Sequence, residues 1–553
     1  MKPCFRPIVF LILVPAILFP WMAFAQLSQH GIPRSFALSL APEERNVVIV
    51  NPPELAALQM EDEQNPLPYR FAVNLPVDLG IAAAGQWKKA ADGSSVWRLN
   101  IKSPGALALT LYFDQFRMPE GGKLFVYNPG RTQCLGAFTS LNNNSLSTFS
   151  TGLIFGDQLT LEYNAPADQD APKIHISEVA YAYRGVAEYS DLKTGFGSAG
   201  KCMVNVNCSE GDQWAKQKRG VARIEIKRGS SSVWCTGSLV NNSLNDGKPY
   251  ILTADHCGSS ATPADLSKWI FYFDYQSAAC PNPTREPALR SMTGASLISH
   301  SGGSGSVGSD FFMVLLNSAI PDSFNVYYTG WSREGTSSSS GVSIHHPQGD
   351  IKKISTYITP LQAANYPGNP DKAHWKVFWS ATPHGYGTTE GGSSGSPIYD
   401  SEGRLIGTLT GGDSSCDSSA LGLADYYGMF SYHWDKDGTD SSKQLAPWLD
   451  PINSGVTALN GWAVGVNEPA MDEWLSIYPN PARDRLYLRT TRDHIRKLQV
   501  VLCDLWGRSV LTMEIDALQN SENQLDLSGL TKGMYVISIG DGDHKVIRKV
   551  IKE

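Results

Sequence analysis

Beyond an opening apolar run, the chain alternates apolar and polar positions over short stretches and shows little helical spacing. Trp97-Arg98-Leu99-Asn100-Ile101, residues 107–113 and residues 123–127 are such runs, divided by Pro119-Glu120-Gly121-Gly122 and Asn128-Pro129-Gly130. Period-two alternation punctuated by Gly and Pro predicts antiparallel strands, here a β-sandwich over residues 26–196. A second strand-rich block, residues 197–462, has apolar runs at 221–226, 238–240, 250–254, 270–275, 311–316 and 404–409. One helix is predicted, at 440–450, with Leu445, Trp448 and Leu449 on one face. A linker at 465–472 leads to a third block, 470–553, whose runs at 486–488, 498–502, 509–515 and 533–539 predict a smaller sandwich. The fold class is mainly β.

Length agrees with this division, since 553 residues exceed what one core organises. Lys2 and Arg6, the apolar run 8–19 and Ala23-Phe24-Ala25 read as a secretory signal over 1–25, cleaved before Gln26. The run falls short of the about 20 residues that span a bilayer, and no later segment is apolar enough to do so. A net charge of -7 gives no basis for nucleic-acid binding or a polybasic membrane surface. Export permits disulfides. Of nine cysteines, Cys4 leaves with the signal, and Cys134 and Cys503 stand alone. The other six, Cys202, Cys208, Cys235, Cys257, Cys280 and Cys416, share the central block and predict three bridges there, with the pairing open among 15 possibilities.

The candidate chemistry lies in that block. Gly391-Gly392-Ser393-Ser394-Gly395-Ser396-Pro397 sets a serine among glycines that allow a sharp turn. The N–H groups of Gly392 and Ser394 can then converge on a developing oxyanion. A plain Ser/Gly loop, such as residues 301–309, is the competing reading. A serine hydroxyl needs a base, and His256 in Thr253-Ala254-Asp255-His256-Cys257 supplies one at a strand end. The orienting carboxylate is expected at Asp310, which leads the apolar run 311–316. Asp255 competes by adjacency, but neighbours on an extended chain point apart. The order His–Asp–Ser is that of chymotrypsin-like proteases.

On these residues the central block resembles bacterial lysyl endopeptidase, a branch of the chymotrypsin-like serine proteases. The matching strings include Cys202-x5-Cys208, Cys235-Thr236-Gly237-Ser238-Leu239-Val240-Asn241-Asn242, the His256 motif, Ile344-His345-His346-Pro347, residues 392–399, Gly411-Gly412-x-Ser414-Ser415-Cys416 and Trp448-Leu449-Asp450-Pro451. The resemblance implies two six-stranded β-barrels with the triad between them. It also implies bridges Cys202–Cys416, Cys208–Cys280 and Cys235–Cys257. Thr388 stands where trypsin-like enzymes carry the acid that selects a basic side chain. In the lysyl branch that acid comes later, which points to Asp425 in Ala424-Asp425-Tyr426-Tyr427-Gly428. One carboxylate closing a narrow pocket suits an ammonium better than a planar guanidinium. Glu390 is a rival acid near Ser394. Thr410, Gly411 and Gly412 are expected to form the wall that hydrogen-bonds the substrate backbone. Tyr366 and Thr410 replace the tryptophan and histidine that the family stacks beside its site.

The tail resembles the type A sorting domain of Bacteroidetes type IX secretion. The carriers are Tyr478-Pro479-Asn480-Pro481, Asp504-x-x-Gly507-Arg508, residues 527–536 and the basic run 545–552. This implies export to the medium or cell surface by that machinery. Residues 26–196 are then a pro-segment, inhibitory or folding-assisting, with self-cleavage expected after Lys193. The chain is expected to be a monomer acting on protein or peptide substrates without cofactor or metal. The leading expectation is a lysine-specific serine endopeptidase working through an acyl-enzyme. A glutamyl or broadly basic protease and a catalytically silent surface adhesin are the alternatives.

Overall fold

The computed structural model describes residues 31–37, 47–65, 67–89, 94–166, 171–186, 198–284, 287, 290–417, 419, 421–463, 475–490, 497–504, 508–516, 522–540 and 545–553. The signal at 1–25, Lys193, the linker 465–472 and Gly507 lie outside them. Among the described residues no helix is long and apolar enough to cross a membrane.

The N-terminal block is two packed sheets. One holds Val47–Ile49, Ser95–Lys102, Gln158–Ala165, Lys123–Tyr127 and Cys134–Phe138, with Gln86–Lys89 at its side. The other holds Tyr69–Gly80, Lys173–Ala182 and Ala108–Arg117. Alternate side chains such as Trp97, Leu99, Ile101, Leu109, Leu111 and Phe113 fill the space between them, as the pattern predicts.

The central block forms two barrels. The first comprises Val221–Arg228, Ser231–Val240, Tyr250–Ala254, Ile270–Phe273, Phe311–Leu316 and the pair Arg290–Thr293 and Ala295–His300, which Gly294 joins. Its core includes Ile224, Ile251, Trp269, Phe271, Phe312 and Val314. The second runs in the order Val204–Asn205, Lys353–Tyr357, Gly341–His345, Pro397–Tyr399, Leu405–Gly412, Asp425–Met429, His374–Val377, Gln362–Ala364. A shared cluster containing Leu252 and Met313 from the first barrel and Ile344 and Tyr399 from the second holds the two together. Disulfides join Cys202 to Cys416, Cys208 to Cys280 and Cys235 to Cys257.

The helix expected at 440–450 is shorter. A 3-10 turn at Ser441–Lys443 and the one-turn helix Ala446–Leu449 are separated by Gln444, which is extended (φ -136°, ψ 150°). Leu445 and Leu449 are still buried, in the cluster the two barrels share.

Nothing in the alternation along the chain signals that the first two blocks share a sheet. Tyr69–Gly80 pairs antiparallel with Ser231–Val240 of the first barrel, Tyr69 opposite Trp234 and Val73 opposite Ser231. Phe71 stacks on Trp234 with ring centroids 4.2 Å apart. Phe71, Ala108 and Tyr112 from the sandwich form one buried cluster with Trp234, Ile270 and Tyr272 of the barrel. The alternation along 69–80 and 231–240 reads the same whether a strand edge is free or paired, so the partner is a tertiary fact. The tail is a further pair of sheets: Leu475–Tyr478, Arg485–Thr490 and Glu522–Asp526 in one, Ser509–Asp516, Lys497–Cys503, Gly533–Gly540 and Lys545–Lys552 in the other.

Candidate active site

His256 follows the strand Tyr250–Ala254 and sits in the one-turn helix Asp255–Gly258. The disulfide Cys235–Cys257 ties the next residue to the neighbouring strand, so the imidazole has little freedom. Asp310 holds it from two directions. Its Oδ1 accepts the His256 backbone N–H at 2.9 Å, and its Oδ2 lies 2.7 Å from Nδ1. Asp310 is fully buried and has a left-handed backbone (φ 61°), an uncommon conformation for a residue with a Cβ. Asp255, in the one-turn helix and not on an extended chain, pairs instead with His300 Nδ1 at 2.8 Å.

Ser394 arrives from the second barrel. Its carbonyl accepts the Thr236 N–H at 2.8 Å, beside Cys235. Gly395 (φ 78°) lies so close to the strand before His256 that a Cβ there would stand 2.1 Å from Thr253 Oγ1 and 2.6 Å from Ala254 N. That approach brings the serine and histidine segments together and requires glycine. His256 Nε2 is buried and has no hydrogen-bond partner, so the link to Ser394 Oγ is not closed. Such links are commonly loose without substrate. Gly392 has φ 95°, and its carbonyl is turned back to Thr236 Oγ1 at 2.9 Å. Among the described residues no partner accepts from the N–H of Gly392 or Ser394.

Asp425 lies at the start of its strand and is fully buried. Its Oδ2 accepts from Trp379 Nε1 (2.7 Å), Thr389 Oγ1 (2.7 Å) and Ser414 Oγ (2.6 Å). Oδ1 receives only a 3.3 Å contact from Ser414 N and faces Gly412, where a Cβ would come within 2.2 Å of it. Every one of these donors is neutral. Burial therefore raises the carboxyl above the usual range, against the opposing effect of Ser414, Trp379 and Thr389. Glu390 points elsewhere, accepting from Gly200 N and from Gln348 Nε2 at 3.2 Å. Thr388 is buried, and its neighbour Thr389 supplies the bond to Asp425.

Tyr366 and Thr410 meet at a residue that sequence reasoning missed. His374 Nε2 lies 3.1 Å from Thr410 Oγ1, and its ring centroid is 5.3 Å from that of Tyr366. Burial lowers its pKa to about 4, so it is neutral at ordinary pH. An imidazole thus stands against the two replaced positions, reached from the strand paired with Asp425–Met429. Nothing in the local spacing of His374 marks it.

The N-terminal strand also reaches this region. The Tyr69 ring packs on Gly391, where a Cβ would meet its Cδ2 at 2.6 Å, and Leu67 Cδ1 would lie 3.3 Å from a Cβ on Gly411. Leu67, Pro68 and Tyr69 therefore run between the Ser394 loop and the wall at 410–412.

Two regions of the chain match known families. Residues 196–428 match a family model described as lysyl endopeptidase, C-terminal domain, and residues 476–553 match the secretion system C-terminal sorting domain. A lysyl endopeptidase of Pseudomonas aeruginosa is 26% identical over 363 residues, covering 63% of this chain and 75% of that protein. Among solved structures, the protease Anisep from Arthrobacter nicotinovorans is 19% identical with a TM-score of 0.28, covering 39% of this chain and 91% of its own. A Glu endopeptidase is 17% identical with a TM-score of 0.26, covering 42% and 94%. Scores this low add nothing to the assignment. The sorting domain marks the chain for secretion or the outer cell surface.

Proposed function

We propose that this serine endopeptidase, similar over its central region to the lysyl endopeptidases, cuts peptide bonds on the carboxyl side of lysine. Ser394 Oγ attacks the scissile carbonyl as His256 Nε2 takes its proton. The new Oγ–C bond forms, and the oxyanion is met by the N–H groups of Gly392 and Ser394. Collapse breaks the C–N bond, and the imidazolium returns the proton to the leaving amine. Water, deprotonated by the same imidazole, then attacks the acyl carbon; the Oγ–C bond breaks to release the acid, and the imidazolium returns its proton to Ser394 Oγ. Asp310 holds the tautomer and stabilises the imidazolium.

The observation that carries lysine specificity is the Asp425 carboxylate, buried among neutral donors with one oxygen left toward Gly412. A buried anion lacking a cation is completed by an ammonium on a long stem. The 67–69 segment supports a pro-segment role for the N-terminal block, since it runs between the Ser394 loop and the 410–412 wall while residues 69–73 pair with the first barrel. The sequence there, Asn65-Pro66-Leu67-Pro68-Tyr69, offers no lysine.

Digestion of an unstructured protein with cut sites mapped by mass spectrometry tests the reading. Cuts after lysine alone support it. Cuts after glutamate or arginine overturn the specificity, and no cuts with no fluorophosphonate labelling overturn the reaction.

A further inference from the structure

Behind His256 and Asp310 a second polar chain links the two barrels. Ser309, His433 and Thr408 are fully buried. Asp437 Oδ1 accepts the Ser309 N–H at 2.8 Å, and Oδ2 accepts from Ser309 Oγ. The same Oγ lies 2.6 Å from His433 Nδ1, and His433 Nε2 lies 3.0 Å from Thr408 Oγ1. Thr408 belongs to the strand Leu405–Gly412, which carries the wall at 410–412, whereas Ser309 directly precedes Asp310.

We propose that Asp437 and His433 are positioning residues that clamp Ser309, hold Asp310 in its left-handed conformation at His256, and fix it relative to the substrate wall. This rests on the proposed role of Asp310. Three features distinguish the clamp from ordinary satisfaction of buried groups. First, it grips both sides of Asp310: Ser309 by backbone and side chain, and Phe311 by the His433 ring, 5.1 Å away. Second, glycines are required where it closes. Gly308 (φ 72°) could not carry a Cβ without bringing it within 2.7 Å of Asp437 Oδ1, and a Cβ on Gly428 would fall 1.9 Å from the Ser309 carbonyl. Third, with Asp437 ionised its hydrogen bonds have one consistent direction; burial raises that carboxyl to about 6, and its protonation reverses the order. Burial holds His433 neutral, so it carries a single ring proton. With Asp437 ionised, Thr408 donates to Nε2, Nδ1–H donates to Ser309, and Ser309 donates to Asp437. In that ionised state each group is satisfied only in that order.

The test uses the secreted enzyme with a small lysine ester, measured well below the unfolding temperature, beside Ser394→Ala. Asp437→Ala should lower kcat by at least ~10-fold with KM within ~2-fold of wild type, because a displaced base costs rate without altering substrate binding. Asp437→Asn should recover most of that loss. Its amide oxygen still accepts from Ser309 N–H, and its NH₂ donates to Ser309 Oγ, which then turns its proton to His433. Equal kcat in Asp437→Ala and wild type, with Ser394→Ala inactive, overturns the clamp and leaves the nucleophile in place. Loss in Asp437→Ala that Asp437→Asn does not recover, or that falls on KM, also overturns it. Activity retained by Ser394→Ala overturns both readings. Should Asp437→Ala fail to fold, the kcat of Thr408→Val, which cuts the far end of the chain, decides: a fall at constant KM supports the clamp, and no change refutes it.

Discussion

Asp425→Asn separates specificity from reaction chemistry. Oδ2 takes three donors within 2.7 Å, and two are hydroxyls that could reverse. Trp379 Nε1–H cannot, so the amide oxygen of asparagine must occupy the Oδ2 position. The NH₂ group then takes the place of Oδ1, toward Gly412, and presents a donor to an incoming ammonium. Breaking a buried charge pair costs about 4 kcal/mol, which at 1.36 kcal/mol per decade is on the order of 10³-fold in kcat/KM for a lysyl amide. A substrate with norleucine in place of lysine, which has no ammonium, should change by less than ~3-fold. Labelling of Ser394 by a fluorophosphonate should stay within ~2-fold of wild type. Stability gives an independent sign. Burial raises the Asp425 carboxyl, so the folded state holds its proton more firmly than the unfolded chain does. The stability this confers is full at low pH and is lost as pH rises through the folded-state pKa. At neutral pH the variant therefore escapes a desolvation cost, and its Tm should equal or exceed that of wild type. Lysyl cleavage within ~3-fold of wild type would refute the pocket assignment. Lost cleavage with a lowered Tm and lost labelling would show a structural role instead.

Asp310→Asn should reduce kcat by roughly 10⁴-fold, measured on a lysyl ester, because the amide no longer selects the productive tautomer of His256. Cys235→Ser with Cys257→Ser opens a loop closed across a sequence separation of 22 residues and should lower stability by about 3 kcal/mol in urea unfolding. The same pair should slow turnover, since His256 loses its neighbouring anchor. His345 is fully buried between Ser393 and Ser355, and burial lowers its pKa to about 3. Its unfolded pKa is near 6.5, so its contribution is complete above that value and is lost as pH falls toward 3, amounting to about 3 kcal/mol at pH 4. His345→Gln should accordingly lose less Tm between pH 7 and pH 4 than wild type does.

Much of the architecture was legible because it depends on local periodicity. Residues 123–127 and 311–316 became the strands Lys123–Tyr127 and Phe311–Leu316 with the expected bounds. The helix at 440–450 was overestimated because an apolar face does not reveal that Gln444 leaves the helix between two single turns. His256, Asp310 and Ser394 could be named because short glycine-rich and strand-end motifs carry them, and Asp425 only through the resemblance to the lysyl branch. His374 could not, since its contacts with Tyr366 and Thr410 join strands distant in the chain.

By itself, then, the sequence determined the element type, the sorting tail and the candidates for a nucleophile, a base and a pocket acid. These follow from side-chain alternation and short motifs, which are local properties. Tertiary structure alone decided that the strand Tyr69–Gly80 joins the sandwich to the sheet of the first barrel and that Asp425 is surrounded by neutral donors. It also decided that Asp437 and His433 converge on the residue before Asp310. Strand edges and buried hydrogen bonds take their partners from across the fold, and no periodicity along the chain encodes which partner that is.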